Sequence, residues 1–415
     1  MLIYIIFAFF IFNLIYNYRK WVIIIIALCS WLMQFQMLNQ NLFTFLLISL
    51  SLLFPIKEKI RFKDLKKFPL KWGCYAIIIS LLITNFSVDS SYRHTPIMLY
   101  YIILNYISLF IFWYIYKQAP QYTAKLFLKT SLTFGLFLGL YCIFEGITRT
   151  NPIIELMNSL ELYNSKFYDE VRFGIKRVQG VFSIYTTIAG VSLNLLALAF
   201  AYKYRNNTIK TKILIALFFI MLLFSGMRST ILCMIVCILS FIRKKDFKPQ
   251  YLIPFIFLGI IIIMVFQDYF YNYIDSFINT DKVNGSTEDL RITQFEMAFL
   301  GLQQSPIWGN GIGYTFTDLI YLYPELRGAD SIWMTYMIEL GIVGVIAYII
   351  FFGSCLRFTY KLNKKLCFYV FGVILSQSIA SVTSLPIVYI FIYTLVINEI
   401  LKYNPKSQTK SIKNK

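Results

Sequence analysis

The sequence predicts an all-α fold, a polytopic bundle of transmembrane helices with a long outer loop that carries short helices. Three observations predict it. Hydrophobic residues fill 58% of the 415 positions and charged residues only 14%, and mean hydropathy is +0.66, whereas a soluble chain of this length carries far more charge. Apolar runs long enough to cross a ~30 Å hydrocarbon layer recur along the chain. The connections between runs alternate between basic and non-basic, as membrane orientation requires. In lipid every backbone polar group needs an internal partner, so such runs are helices. Residues 1–415 read as a single integral membrane domain.

The candidate spans lie near 1–16, 21–37, 42–55, 72–87, 96–116, 130–147, 181–201, 213–226, 229–242, 251–266, 331–353, 366–383 and 386–402. The bundle thus has about 12–13 spans; region 213–242 is either two helices meeting at SGMRST or one long interrupted helix. The first run, MLIYIIFAFFIFNLIY, has no basic residue before it and no small-residue cleavage site after it. It reads as a span and not as a cleavable signal.

NYRK (17–20), KEKIRFKDLKKFPLK (57–71), YKQAPQYTAKLFLK (116–129), YKYRNNTIKTK (202–212), RKKDFK (243–248), RFTYKLNKK (357–365) and the C-terminal tail are all basic. They form one set, assigned to the cytoplasmic side. The net charge of +19 therefore belongs to membrane topology and excludes a nucleic-acid partner. The other set faces outward. Two of its members, 148–180 and 267–330, exceed what a helix–helix connection needs, and long loops of ordered composition are usually functional. Between Gln267 and Asp330 nine acids stand against three bases, Lys282, Arg291 and Arg327.

The second loop contains LRITQFEMAFLGL, with Ile292, Phe295, Phe299 and Leu302 at spacings of three and four. This is an amphipathic helix lying on the bundle or on the membrane interface. A Gly-rich turn, QQSPIWGNGIGYTF, follows. All seven cysteines lie in or at the ends of apolar runs with no CxxC pair, which reads as packing, not a disulfide frame. The single histidine, His94, excludes a histidine-rich metal centre, and no metal or other cofactor is expected.

Arginine marks the outer side. Arg172 and Arg177 precede the span that begins VFSIYTT, Arg228 sits between two apolar runs, Arg291 opens the amphipathic helix, and Arg327 stands three residues before Asp330. Arginine at membrane depth is paired or functional. Its planar fork binds phosphate oxygens bidentately and stays charged. The group suits a lipid-linked phosphate or pyrophosphate; the alternative is that the arginines reach lipid headgroups or pair with the loop acids. Glu145 and Glu339 lie within or near apolar runs at the same side. Each either faces an outer cavity or packs as a hydrogen-bonded carboxyl. Glu399, near the other end, caps or reaches toward the interface.

These pieces resemble the signature of the O-antigen polymerase/O-antigen ligase superfamily: an Arg, an amphipathic helix, P-x-x-G-x-G-x-G, then a polar residue opening an apolar helix with E-x-G-I-x-G. Here they are Arg291; Pro306, Gly309, Gly311 and Gly313; Asp330; and Glu339-Leu-Gly-Ile-Val-Gly. RVQGVF (Arg177, Gly180) and SGMRST (Arg228) are similar to two further family segments. The resemblance covers roughly residues 172–352. In the ligase branch the last helix opens with His-Asn, whereas this chain has Asp330-Ser331, which favours a Wzy-type polymerase over a ligase.

The resemblance implies a metal-independent glycosyl transfer from undecaprenyl pyrophosphate to a second lipid-linked repeat unit, at the outer face of a bacterial inner membrane. It implies Asp330, Arg228 and Arg291 as catalytic residues, and Arg177, Arg172, Arg327, Gly311 and Gly313 as substrate-binding ones. Donor and acceptor are both undecaprenyl pyrophosphate-linked oligosaccharides, and a chain-length regulator and a flippase are implied partners. Asp330 is either a general base or the N-cap of the helix it precedes. Two other functions remain open, an O-antigen ligase and a flippase or transporter for the same lipid-linked unit. A transporter would place charge at mid-membrane, whereas the charges here gather at the outer boundary.

Overall fold

The computed structural model describes residues 15–32, 36–37, 40–60, 62–88, 95–160, 171–172, 175–182, 185–241, 271, 288–316, 331–379 and 389–402. These residues are helical nearly throughout. The principal helices are α1 (Tyr18–Ala27), α2 (Leu42–Glu58), α3 (Lys71–Ser87), α4 (Thr95–Ile102), α5 (Ser108–Gln118), α6 (Pro120–Thr148), α7 (Pro152–Ser159), α8 (Tyr185–Arg205), α9 (Ile209–Phe224), α10 (Arg228–Leu239), α11 (Glu288–Gln304), α12 (Ile332–Leu362), α13 (Leu366–Ile379) and α14 (Ile390–Lys402). A π-helical turn, Ile103–Ile107, joins α4 to α5. The only sheets among the described residues are two minimal hairpins, β1 (Gln36–Met37) with β2 (Gln40–Asn41) and β3 (Val171–Arg172) with β4 (Ile175–Lys176).

Helices α6, α8 and α12 contain stretches long and apolar enough to cross a membrane, and α3, α10 and α13 are shorter apolar helices. The chain is a helical membrane protein. The span expected at 251–266, and most of that at 1–16, lie outside the described residues. Region 213–242 resolves into two helices, α9 and α10, which break at Ser225–Met227.

Local chemistry explains the helix ends. Pro120 occupies the first turn of α6, where its missing N–H costs nothing. At the other end Arg149 takes a left-handed conformation and its N–H closes on Glu145 O at 2.8 Å. Asn151 caps α7 by accepting from Ile154 N–H at 3.1 Å, with Pro152 next. Ser331 caps α12, accepting from Trp333 N–H at 3.3 Å.

Helices α3 and α12 pack along one another and approach closely at Gly73, where an added Cβ would lie 2.7 Å from Phe351 Cα. Helices α10 with α13 and α8 with α9 form the other extensive pairs. Such close pairs are the expected geometry in lipid, where dispersion contacts rather than water exclusion hold helices together. All seven cysteines are free; six are buried and Cys367 is partly so.

Candidate functional site: an arginine turn and a broken helix

Two of the sequence segments singled out above meet in space. Val178 N–H donates to Phe224 O at 3.1 Å, which lays RVQG alongside the end of α9. Arg177 is 2% exposed. Its Nε donates to Ser225 O at 2.9 Å, and Nη2 lies 3.0 Å from Met227 Sδ. The guanidinium therefore lies across the SGMRST turn, where a Cβ at Gly226 would come within 3.2 Å of it. Arg228, partly buried, is the first residue of α10. A cation there opposes the helix dipole, so its position is not explained by helix stability. The first-turn N–H groups of any helix lack intrahelical partners and favour anions. Arginines 177 and 228 thus flank a helix start that already favours negative charge.

A buried carboxylate holds this turn in place. Glu145, fully buried near the end of α6, accepts from Gln179 N–H at 2.9 Å and from Gly180 N–H at 2.7 Å. Asn151 completes the clamp: its Nδ2 donates to Gly180 O at 2.7 Å, and its Oδ1 accepts from Tyr141 Oη at 2.6 Å. Sequence reading left Glu145 between cavity-facing and packing roles; the packing role is the one seen. It did not single out Asn151, although the Asn-Pro pair signals a helix cap.

The last turn of α13 joins the arginine turn to the start of α12. Thr230 Oγ1, in the first turn of α10, lies 3.2 Å from Ser376 Oγ. Two residues further, Ser378 O accepts from Ser331 Oγ at 2.8 Å, and Ser378 Oγ accepts from Trp333 Nε1 at 2.8 Å. The starts of α10 and α12 therefore lie at the same end of the bundle, tied through hydroxyls of α13. The cap of α12 is Ser331, one position after Asp330, so that role is already filled. Asp330 itself and Arg327 lie outside the described residues.

Below this, α12 is broken, and the Gly-rich turn fills the break. Gly341 has φ 63°, ψ −163°, a region essentially closed to residues with a Cβ. The interrupted ladder is repaired by four backbone bonds. Asn310 and Gly311 N–H donate to Ile338 O and Glu339 O at 3.0 and 3.1 Å. Ile342 and Val343 N–H donate to Pro306 O and Ile307 O at 3.0 and 3.3 Å. Asn310 Nδ2 also donates to Ile338 O at 3.0 Å and to Gly301 O at 2.7 Å, and Thr84 Oγ1 donates to Trp308 O at 2.7 Å. A Cβ on Gly309 would collide with Glu339 O, and one on Gly341 would lie 2.5 Å from Ile307 O. The P-x-x-G-x-G-x-G and E-x-G segments are thus two halves of one backbone joint. Gly311 (φ 113°) and Gly313 (φ 90°) take backbone conformations open to glycine. The buried Glu339 accepts from Thr315 N–H at 3.3 Å. Its part is structural; it holds the turn.

Helix α11 faces opposite to simple expectation for a bundle helix. Ile292, Phe295 and Phe299 are 48%, 61% and 57% exposed. Buried instead are Gln294, Ala298 and Gly301, with Ala298 packing in a cluster with Tyr314, Met334 and Ile338. The apolar stripe faces away from the protein, as the membrane-interface alternative requires. Arg291 lies in the first turn of this helix and Arg172 lies on β3, opposite Ile175.

One comparison bears on this arrangement. Residues 213–349 match the family model described as O-antigen ligase. The match runs from α9 through the SGMRST turn, α11 and the Gly-rich turn to the break in α12. The match spans about a third of the chain and overlaps the segments that carry the resemblance noted in the sequence. No curated protein matches the chain.

Proposed function

We propose that this protein is a polysaccharide polymerase. It transfers a growing glycan from undecaprenyl pyrophosphate to a lipid-linked repeat unit at the outer face of the inner membrane. In the transfer, the bond between the glycan's anomeric carbon and the pyrophosphate oxygen breaks, and the pyrophosphate leaves with the electron pair. A hydroxyl of the acceptor sugar forms the new bond and gives its proton to a base.

The observation that carries the reading is the contact of Arg177 with the SGMRST turn, which puts two arginines beside one helix start. Charge develops on the leaving pyrophosphate, and preorganised donors aimed there are a large catalytic effect. Arg177 and Arg228 are assigned this role, with Arg291 as the third donor. Arginines supply the positive charge, so the step needs no metal. Arg172, Arg327, Gly311 and Gly313 contact the donor's glycan or pyrophosphate. Asp330 is assigned the base role. Its neighbour Ser331 performs the capping, which leaves the aspartate available for proton transfer.

The description of the matched family favours a second reading, transfer of finished glycan to a lipid A core. The Asp330-Ser331 pair in place of His-Asn favours the polymerase. The glycan ladder of a deletion strain tests both. Retention of a single repeat with loss of long chains is expected. Loss of every repeat from the core would make the protein a ligase, and an unchanged ladder would overturn both readings.

A further inference from the structure

A second polar site lies away from the arginine turn, where the basic connections 17–20, 57–71 and 116–129 gather. An open cavity of about 390 Å³ is lined by Tyr16, Arg19, Lys20, Lys57, Glu58 and Tyr122 among others. Arg19 and Glu58 form a bidentate pair across its wall: Nε to Oε1 and Nη2 to Oε2, both 2.7 Å. Gln118 Nε2 donates to the same carboxylate at 3.4 Å, and Tyr114 Oη to the Glu58 carbonyl at 3.3 Å. Helices α1 and α5 therefore converge on one buried acid at the end of α2, and the geometry of the cavity wall is set by that convergence.

The charge of the cavity is not balanced by this pair. Glu58 answers Arg19, while Lys20 and Lys57 are exposed and make no ion pair among the described residues. Three cations against one carboxylate leave two positive charges on the lining. The rim adds two exposed aromatic rings, Tyr16 and Tyr122, a residue type that settles at the headgroup level of a bilayer. A concave, positively charged, tyrosine-rimmed site beside apolar helix ends matches an anionic phosphate on a diacyl tail. A soluble phosphate shares the headgroup chemistry but would use neither the tyrosine rim nor the adjoining apolar surface.

We propose that this cavity binds the phosphate-bearing headgroup of an anionic membrane lipid, with Lys20 and Lys57 as the phosphate contacts and the Arg19–Glu58 pair as their scaffold. The site is separate from the arginine turn and does not depend on the reading of that turn.

The test is native mass spectrometry and lipid titration of purified, delipidated full-length protein. The probes are phosphatidylglycerol, phosphatidylethanolamine and inorganic phosphate. The test variant is Lys20→Gln with Lys57→Gln, which leaves the Arg19–Glu58 pair intact. The control, Lys210→Gln with Lys361→Gln, removes the same charge from exposed positions outside the cavity. Phosphatidylglycerol is expected to bind wild type and control alike, and the test variant about tenfold more weakly. Phosphatidylethanolamine is expected to bind none of them tightly. Equal retention by the test variant, or equal loss in test and control, would overturn the site. Displacement of the lipid by millimolar inorganic phosphate would overturn the lipid assignment. Should the double variant fail to fold, Lys20→Gln and Lys57→Gln are titrated singly against the same criteria.

Discussion

The carboxylate of Glu145 accepts the N–H of Gly180 at 2.7 Å, and that of Gln179 at 2.9 Å. This joins the end of α6 to the segment that carries Arg177. The consequence is that Arg177 is oriented from two sides, by Ser225 O at its guanidinium and by Glu145 behind its backbone. Exchanging Glu145 for glutamine replaces one acceptor oxygen with a donor, which then faces a backbone N–H. Glu145→Gln is expected to lose about 1–3 kcal/mol of stability, read as a lowered melting temperature in detergent. Transfer activity is expected to fall with it, and wild-type values of both would show that the clamp does not orient Arg177.

Arg228 separates charge from geometry. Lysine keeps the charge but not the bidentate fork. Arg228→Lys is expected to retain part of the repeat-unit transfer, and Arg228→Ala to lose about 10²–10³-fold, with melting temperatures unchanged in both. Two variants that transfer like wild type would remove Arg228 from the leaving-group site.

Asp330 and Ser331 are adjacent yet predicted to fail differently. Because Ser331 supplies the cap of α12, Ser331→Ala is expected to cost about 1 kcal/mol of stability. Asp330→Asn is expected to leave melting untouched and to reduce polymerisation by about 10²-fold or more. The opposite pattern, a stability loss at 330 with normal polymerisation, would assign Asp330 to structure.

The joint between the Gly-rich turn and α12 predicts a contrast among glycines of one helix. At Gly341 any Cβ meets Ile307 O in a backbone conformation reserved for glycine. Gly341→Ala is expected to cost about 3 kcal/mol or more and to reduce folded yield. At Gly353, further along the same helix, an added Cβ meets nothing within 4 Å. Gly353→Ala is expected to be neutral or to stabilise by up to about 1 kcal/mol. Thermal melting of the two variants side by side checks this.

Much of the architecture was legible in the sequence because spanning a bilayer is a local requirement. A run such as 120–148 must close its own hydrogen bonds, so its length and apolarity already specify a helix. The breaks were legible only in part: whether 213–242 is two helices or one interrupted helix stayed open, and the break at Gly341 lay hidden inside one apolar run. Ser225-Gly226 interrupts two apolar runs, and the glycines of 309–313 mark a turn. The alternation of basic connections, and the arginines at 177 and 228, also stand out without any fold.

Burial direction was not legible, and α11 shows why. Its apolar stripe of Ile292, Phe295 and Phe299 lies exposed while Gln294, Ala298 and Gly301 are buried, the last two against α12. In water an apolar stripe marks the buried face, but lipid is as apolar as a protein core. Helix contacts there select small residues that allow close approach. Nor could the sequence say what Glu145 and Glu339 do, since each finds its N–H partners, Gly180 and Thr315, far along the chain. The sequence by itself determined the helical class and the apolar runs that form the described helices. Only the tertiary structure decided that RVQG lies on SGMRST and that the Gly-rich turn repairs the break at Gly341. Those are non-local backbone bonds, and local composition carries no record of them.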